Sequence, residues 1–294
     1  MHISVYGRQF GAHFNEHAGR LFSKLREKGI RISLYEPFYR FILNNAGIDP
    51  GEVTLFNSHT GPDRSSDFVF TIGGDGTILE TIALVRDSGI PVLGFNSGKL
   101  GFLASISGDD IDCAIEAVLS GRYFIEERGL LRLHKPVNAF VDFDCALNEF
   151  TLQKKDSTMI TIKVWLNGHF LNSYWADGLI ISTPTGSTAY SLSVGGPLLT
   201  PDTGAIIISP IAPHNLTVRP VVIPDNNTVR LKVTGRRNEF LLSMDYRSTL
   251  VPLESEIVIK KAGYGISLVK LDNQDFYTTL RNKLMWGADK RNWH

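Results

Sequence analysis

Three glycines crowd the stretch Gly73-Gly74-Asp75-Gly76-Thr77, between the β-type run Asp67–Ile72 and a helical stretch through Arg86. Glycine lets backbone approach a ligand without side-chain interference. The N-terminus of the following helix points free N–H groups and a positive dipole end the same way, which suits phosphate. The turn is neither a Walker A loop, which needs Gly-Lys-Ser/Thr, nor a G-x-G-x-x-G dinucleotide fingerprint. Its distinctive element is a carboxylate, Asp75, at the centre of an anion-friendly turn. Either it takes the proton of an attacking hydroxyl, or it caps a helix beginning at Gly76.

A second set lies further on. Asn148 and Glu149 offer an amide for the edge of an adenine and a carboxylate for ribose hydroxyls. Neighbouring strand residues face opposite ways, so both reach one pocket only where the chain bends; the alternative is an exposed turn pair. Asp177-Gly178, ahead of the apolar run Leu179–Ser182, supplies another carboxylate or an ordinary strand-entry turn. Thr183–Ser193 is dense in hydroxyls and glycine around Tyr190, so a flat ligand can lie on its backbone; otherwise it is a loop leading into a short helix. His13-Phe14-Asn15-Glu16-His17 has the H-x-x-E-H form of a zinc site. It lacks an evident third ligand, and Asn15 reads as a helix cap, so no dedicated metal site is expected. Gly186-Ser187-Thr188 is not a G-x-S-x-G nucleophile elbow.

The elements that must position these residues change character along the chain. Ile3–Tyr6, Ile30–Tyr35, Val53–Phe56, Asp67–Ile72 and Pro91–Phe95 read as strands. Ala18, Leu21, Phe22 and Leu25 recur at helical spacing ahead of Gly29, as do Ile111, Ala114, Ile115, Val118 and Leu119 ahead of Gly121. Strands separated by crossover helices imply an α/β domain with a Rossmann-like parallel sheet, assigned to residues 1–121. From Arg122 short alternating runs dominate: Thr158–Leu166, Leu179–Ser182, Ala205–Ile208, Val229–Val233, Glu239–Ser243, Glu256–Ile259 and Ile266–Leu271. Residues 122–272 are therefore expected to form a β-rich, sandwich-like domain. The segment Asp275–Trp286 is helical again, with Phe276, Leu280 and Leu284 on one face, and residues 273–294 are expected to pack back on the first domain.

Composition narrows the function. Lys+Arg and Asp+Glu both number 30 in 294 residues, and this balance argues against nucleic-acid binding. The basic pairs Lys154-Lys155, Arg236-Arg237 and Lys260-Lys261 read as solvated strand edges. Two cysteines, Cys113 and Cys145, make no disulfide framework, which fits a cytoplasmic setting. No signal peptide and no membrane-spanning run is apparent.

Further motifs narrow it again: Asn96-Ser97-Gly98-Lys99-Leu100-Gly101-Phe102-Leu103, Leu147-Asn148-Glu149-Phe150, Ala176-Asp177-Gly178-Leu179-Ile180, Gly195-Gly196-Pro197 and Ser209-Pro210-Ile211-Ala212-Pro213-His214. In this order, after the GGDGT turn, the set resembles the NAD kinases, from Asp67 to Gly287. The resemblance implies transfer of the γ-phosphoryl of ATP, or of inorganic polyphosphate, to the 2′-hydroxyl of the adenosine ribose of NAD. It implies Asp75 as proton acceptor and a nucleotide site drawn from Gly73, Gly74, Asp75, Gly76, Thr77, Asn148, Glu149, Asp177, Thr188, Ala189, Tyr190 and Ser193. Mg²⁺ or another divalent cation would arrive with ATP. A homo-oligomer, dimer or tetramer, is implied, with the site shared between subunits. Two places depart from the pattern: Asp245-Tyr246-Arg247 stands where many relatives have Asp-Gly-Gln, and Trp175 where some have a basic residue. A lipid kinase with the same turn, and a dinucleotide-binding sensor that transfers nothing, are the competing readings.

Overall fold

The computed structural model describes residues 1–272 and 274–285, and the chain divides into two compact units. Unit 1 comprises Met1–Glu127 with Ile266–His294; unit 2 is Arg128–Gly265. Trp286 and Gly287 lie outside the described residues.

Unit 1 begins with β1 (His2–Gly7), α1 (Asn15–Glu27), β2 (Arg31–Tyr35), α2 (Glu36–Asn44) and β3 (Thr54–Phe56). It continues with β4 (Phe68–Gly73), α3 (Asp75–Val85), β5 (Val92–Asn96) and α4 (Ile111–Leu119). The strands pair in parallel in the order β5-β4-β1-β2-β3. One face is covered by Leu21, Phe22 and Leu25 of α1 and Ile111, Ile115 and Val118 of α4. The other carries α3, whose Ile78 packs against Gly94 of β5. Burial on both faces explains why β1 and β4 are buried along their whole length.

Helix α2 went unread in the sequence, although Pro37 in its first turn and Phe38 and Ile42 one turn apart both signal it. Asn15 is not a cap: Phe14 holds that position and Asn15 is already helical.

Unit 2 takes in most of β6 (Phe124–Lys135), then β7 (Cys145–Ala146), β8 (Glu149–Gln153), β9 (Ile160–Leu166), β10 (His169–Ala176) and β11 (Gly178–Ser182). A 3₁₀ turn (Thr185–Thr188) and the short α5 (Tyr190–Ser193) follow. Then come β12 (Ala205–Ile211), β13 (Val221–Pro224), β14 (Val229–Thr234), β15 (Glu239–Met244), β16 (Arg247–Pro252) and β17 (Glu256–Lys270). One sheet has the antiparallel order β13-β12-β11-β8-β15-β16; facing it are β10, β9, β14 and the first part of β17. Phe150, Leu152, Ile181 and Ile208 of the first sheet share a core with Ile162, Val164, Leu231 and Ile257 of the second, so the unit is a sandwich.

Strand β17 runs unbroken from Glu256 to Lys270, where the sequence was read as two strands; Lys260-Lys261 and Gly263 and Gly265 look like a turn but stay extended. Its last residues pair with β5 through Leu268 and Val92. The unit boundaries therefore fall inside β6 and β17, at 127/128 and 265/266, where composition had placed them at 121/122 and 272/273. The basic pairs each find acid partners: Lys154 with Asp177, Lys155 with Glu239, Arg237 with Asp156 and Lys261 with Asp225.

Helix α6 (Phe276–Leu284) belongs to unit 1, with Leu280 buried and the Lys283 ammonium 4.8 Å from the centre of the Phe102 ring. Among the described residues no helix is long and apolar enough to cross a membrane.

Candidate active site

In unit 1 the chain runs from β1 outward through β2 and β3, then returns to place β4 on the other side of β1. That reversal makes a crevice at the carboxyl ends of β1 and β4, where ligands bind in open parallel sheets. The Gly73–Thr77 turn leaves β4 there. Gly73 is required by packing: a Cβ on it would lie 2.0 Å from Thr77 Oγ1. Gly74 and Gly76 are different, since a Cβ on either would meet no atom within 4 Å. Packing of the chain does not demand glycine at these two positions, and the space above them is open.

Asp75 is not a helix cap. Gly74 holds that position, and Asp75 is the first residue of α3. Its carboxylate accepts three consecutive backbone N–H groups: Phe102 on Oδ2 at 2.8 Å, and Leu103 and Ala104 on Oδ1 at 3.0 and 2.9 Å. The loop after β5 is held from its other end by Asn96, whose amide donates to the carbonyls of Lys99 and Ala104 and accepts from Gly98 N–H. The motif noted around Gly101 is thus a loop drawn onto the catalytic candidate. Oδ2 has one donor, which leaves it a lone-pair position for a hydroxyl.

One cation at this crevice was missed from sequence. Arg8 directly follows β1, its N–H donating to the carbonyl of Ile72 at 3.2 Å, and its guanidinium grips both oxygens of Glu80 at 2.6 and 2.7 Å. Tyr6 donates to the same carboxylate at 2.9 Å. An arginine immediately after a strand-ending glycine was the available signal. His13 of the zinc-like motif donates from Nε2 to the Ser97 carbonyl at 2.9 Å, and among the described residues no group of three His, Cys, Asp or Glu could hold a metal.

In unit 2 the bend that Asn148 and Glu149 need is present. Leu147, Asn148 and Glu149 donate three successive N–H groups to one carboxylate, that of Asp245, at 2.9, 2.8 and 3.2 Å. An extended strand cannot do this, because its successive N–H groups point to opposite sides. The carbonyls of the same turn are also engaged: Leu147 by the Thr183 hydroxyl, Asn148 by Thr183 N–H and Ser182 Oγ, and Glu149 by Asp245 N–H.

What remains is side chain. Glu149 is buried, takes the N–H of Tyr190, and leaves its Oε2 without a hydrogen-bond partner. Burial, and then the neighbouring Asp245 charge, push its carboxyl up to about 8. It therefore carries a proton at neutral pH and donates as well as accepts, where the sequence suggested a plain carboxylate acceptor.

Tyr190 lies along β8. Its N–H meets Glu149 at one end and its hydroxyl accepts from Gln153 Nε2 at 3.1 Å at the other. Thr188 and Ala189 are half-buried beside it, Thr188 bonded to the Thr185 carbonyl, and Ser193 is exposed.

Asp177 is not with this group. In the β8–β11 register Glu149 faces Ser182 and Gln153 faces Gly178. Asp177, one residue beyond Gly178, therefore sits about 17 Å along the pair from Glu149, with its carboxylate on Lys154 Nζ at 2.5 Å. Trp175 is half exposed and lies against His214, ring centres 4.7 Å apart and the planes tilted by 46°. Arg247 turns to the carbonyls of Phe143 and Cys145 instead of projecting as a free cation.

Residues 44–123 match the ATP-NAD kinase N-terminal domain and residues 147–271 the ATP-NAD kinase C-terminal domain. The chain is 45% identical to the NAD kinase of Flavobacterium psychrophilum and 46% identical to that of Flavobacterium johnsoniae, in each case over 99% of this chain and all of the relative. It belongs to the NAD kinase family. Among solved structures, yeast NADH kinase complexed with NADH superposes with a TM-score of 0.85 at 25% identity, covering 100% of this chain and 90% of that one. An NAD kinase from Archaeoglobus fulgidus in complex with ATP gives 0.75 at 23% identity over 97% of this chain and 99% of that one, a likeness of fold. Asp75 of the GGDGT turn and Asp245 each gather three consecutive backbone amides of a loop, Phe102–Ala104 and Leu147–Glu149.

Proposed function

We propose that this chain phosphorylates NAD, transferring the γ-phosphoryl of ATP or of polyphosphate to the 2′-hydroxyl of the adenosine ribose to give NADP. The observation that carries the reading is the full-length identity to NAD kinases, at 45% over 99% of the chain. The open space over Gly74 and Gly76 supports it, because it leaves backbone bare where a phosphate chain would lie. Phosphoryl transfer needs in-line positioning and charge neutralisation more than covalent help from the protein.

In this reading the 2′-hydroxyl oxygen attacks the γ-phosphorus, the bond to the β-phosphate oxygen breaks, and ADP leaves. Asp75 takes the hydroxyl proton at Oδ2. Arg8, the turn amides and a divalent cation carried in on the triphosphate offset the phosphate charge. Asn148, Glu149, Thr188, Ala189, Tyr190 and Ser193 hold the adenosine end, and residues 128–265 act as the dinucleotide-binding unit. Asp177 serves a different part of the ligand, or a neighbouring subunit's site, in a homodimer or tetramer. The distance along β8–β11 supports that division, as do the exposed Trp175, Val222, Tyr246 and Leu250 on unit 2. The two free cysteines fit a cytoplasmic setting.

The test is a coupled assay of purified protein with NAD, ATP and Mg²⁺, NADP being read by an NADP-specific dehydrogenase. NADP formation supports the reading; folded protein that binds NAD without forming NADP overturns it in favour of a sensor.

A further inference from the structure

We propose that Asp245 is a positioning residue for substrate: its carboxylate gathers the amides of Leu147, Asn148 and Glu149 and so presents the Asn148 amide and the Glu149 carboxyl together to the adenosine end of NAD. The inference rests on reading that turn as part of the NAD site.

Three observations carry it. First, the hydrogen-bond set is complete on the backbone and incomplete on the side chains. Every amide and carbonyl of Leu147–Glu149 is engaged, while Glu149 Oε2 is buried without a partner. A buried polar atom without a partner is costly unless a ligand completes it.

Second, Asp245 occupies a conformation that its own hairpin would rather give to glycine. Met244 pairs with Arg247, so Asp245 and Tyr246 form a two-residue loop, and Asp245 has φ 50°. A side chain kept at positive φ is backbone strain retained for what the side chain does. Third, the arrangement repeats the one in unit 1, where Asp75 takes three consecutive amides of the loop after β5. In unit 1 the anchoring carboxylate is itself the candidate catalytic group. In unit 2 both oxygens of the anchoring carboxylate are taken up by the turn's amides, and on this proposal the residues it anchors do the binding. The Asp245-Tyr246-Arg247 departure from Asp-Gly-Gln therefore preserves the anchoring residue.

The experiment compares Asp245→Gly and Asp245→Asn with the parent in NAD titrations by calorimetry and in steady-state kinetics. Glycine relaxes the hairpin, so Asp245→Gly keeps the fold while removing the anchor. The expected result is a rise of about tenfold or more in Kd and KM for NAD, the loss of a charge-assisted set, with KM for ATP unchanged. Combined with Asn148→Ala, it should cost little beyond Asn148→Ala alone, because Asp245 acts through that side chain.

Unchanged NAD affinity in folded Asp245→Gly overturns the inference, and so does an additive double variant. A parent protein that binds no NAD overturns the functional reading beneath it, and that outcome is distinct because it appears before any substitution is made.

Discussion

A methyl group on Gly101 would sit 1.8 Å from Asp75 Oδ1, closer than any two unbonded atoms can come. The absence of a side chain at 101 is therefore a condition for the carboxylate to reach the amides of Phe102, Leu103 and Ala104. Gly101→Ala must break that anchor or displace the loop. We expect it to cost about 1–3 kcal/mol, as overpacking does, and to lower NADP formation; urea midpoints and turnover measured together check both.

Gly76→Ala should behave in the opposite way for stability. Its Cβ meets nothing within 4 Å, and the position is inside α3. Alanine in a helix gains about 0.5–1 kcal/mol over glycine, so the variant should melt higher while turning over more slowly. A variant that is both more stable and fully active would show that the open space is not where substrate lies.

Asp75→Asn does not preserve the hydrogen bonds, although amide for carboxylate looks conservative in the sequence. Both oxygens accept N–H groups, so the new NH₂ faces a donor whichever way it turns. Turnover should fall by at least about 10²-fold, the low end of general-base catalysis. Loss beyond that of Gly101→Ala at matched stability assigns the excess to proton transfer.

Arg8→Ala should raise KM for ATP by about tenfold, the worth of a charge-assisted contact, and leave KM for NAD in place. Its ion pair with Glu80 is well aligned but Arg8 is largely exposed, so stability should change by less than about 1 kcal/mol. Initial rates with either substrate varied separate the two.

The raised Glu149 carboxyl makes stability depend on pH. Its ordinary value is 4.5 and its folded value about 8, so between them the folded chain holds a proton the unfolded chain has released. The stabilisation is full below the lower value and is lost as pH rises through the upper one, with a slope of up to about 1.4 kcal/mol per pH unit. Glu149→Gln cannot ionise, so its denaturation midpoint should be flatter over that window and should exceed the parent's above about pH 8. Urea titrations across the window decide it.

Much of this was legible in the sequence because the signals are local. The periodicity of Ala18–Leu25 and of Ile111–Leu119, and the Gly-rich turn after DFVFTI, each report on a few neighbouring residues. The partners of the two carboxylates were not legible, because Phe102 lies 27 residues from Asp75 and Leu147 lies 98 from Asp245. Sequence showed Asn148 and Glu149 as adjacent and asked for a bend; only the fold shows that Asp245 makes it. The same reach explains why Asp177 was grouped with Glu149, when the antiparallel register sets them at opposite ends of a strand pair.

Strand β17 gives the chain an order of assembly. Residues 128–265 are contiguous, whereas unit 1 needs both the first 127 residues and those from 266 onward. On the ribosome the sandwich can therefore complete itself first. The parallel sheet must wait for its last strand, beside β5, and for the helix carrying Leu280, so its GGDGT crevice is finished only after residues 266–284 have been made.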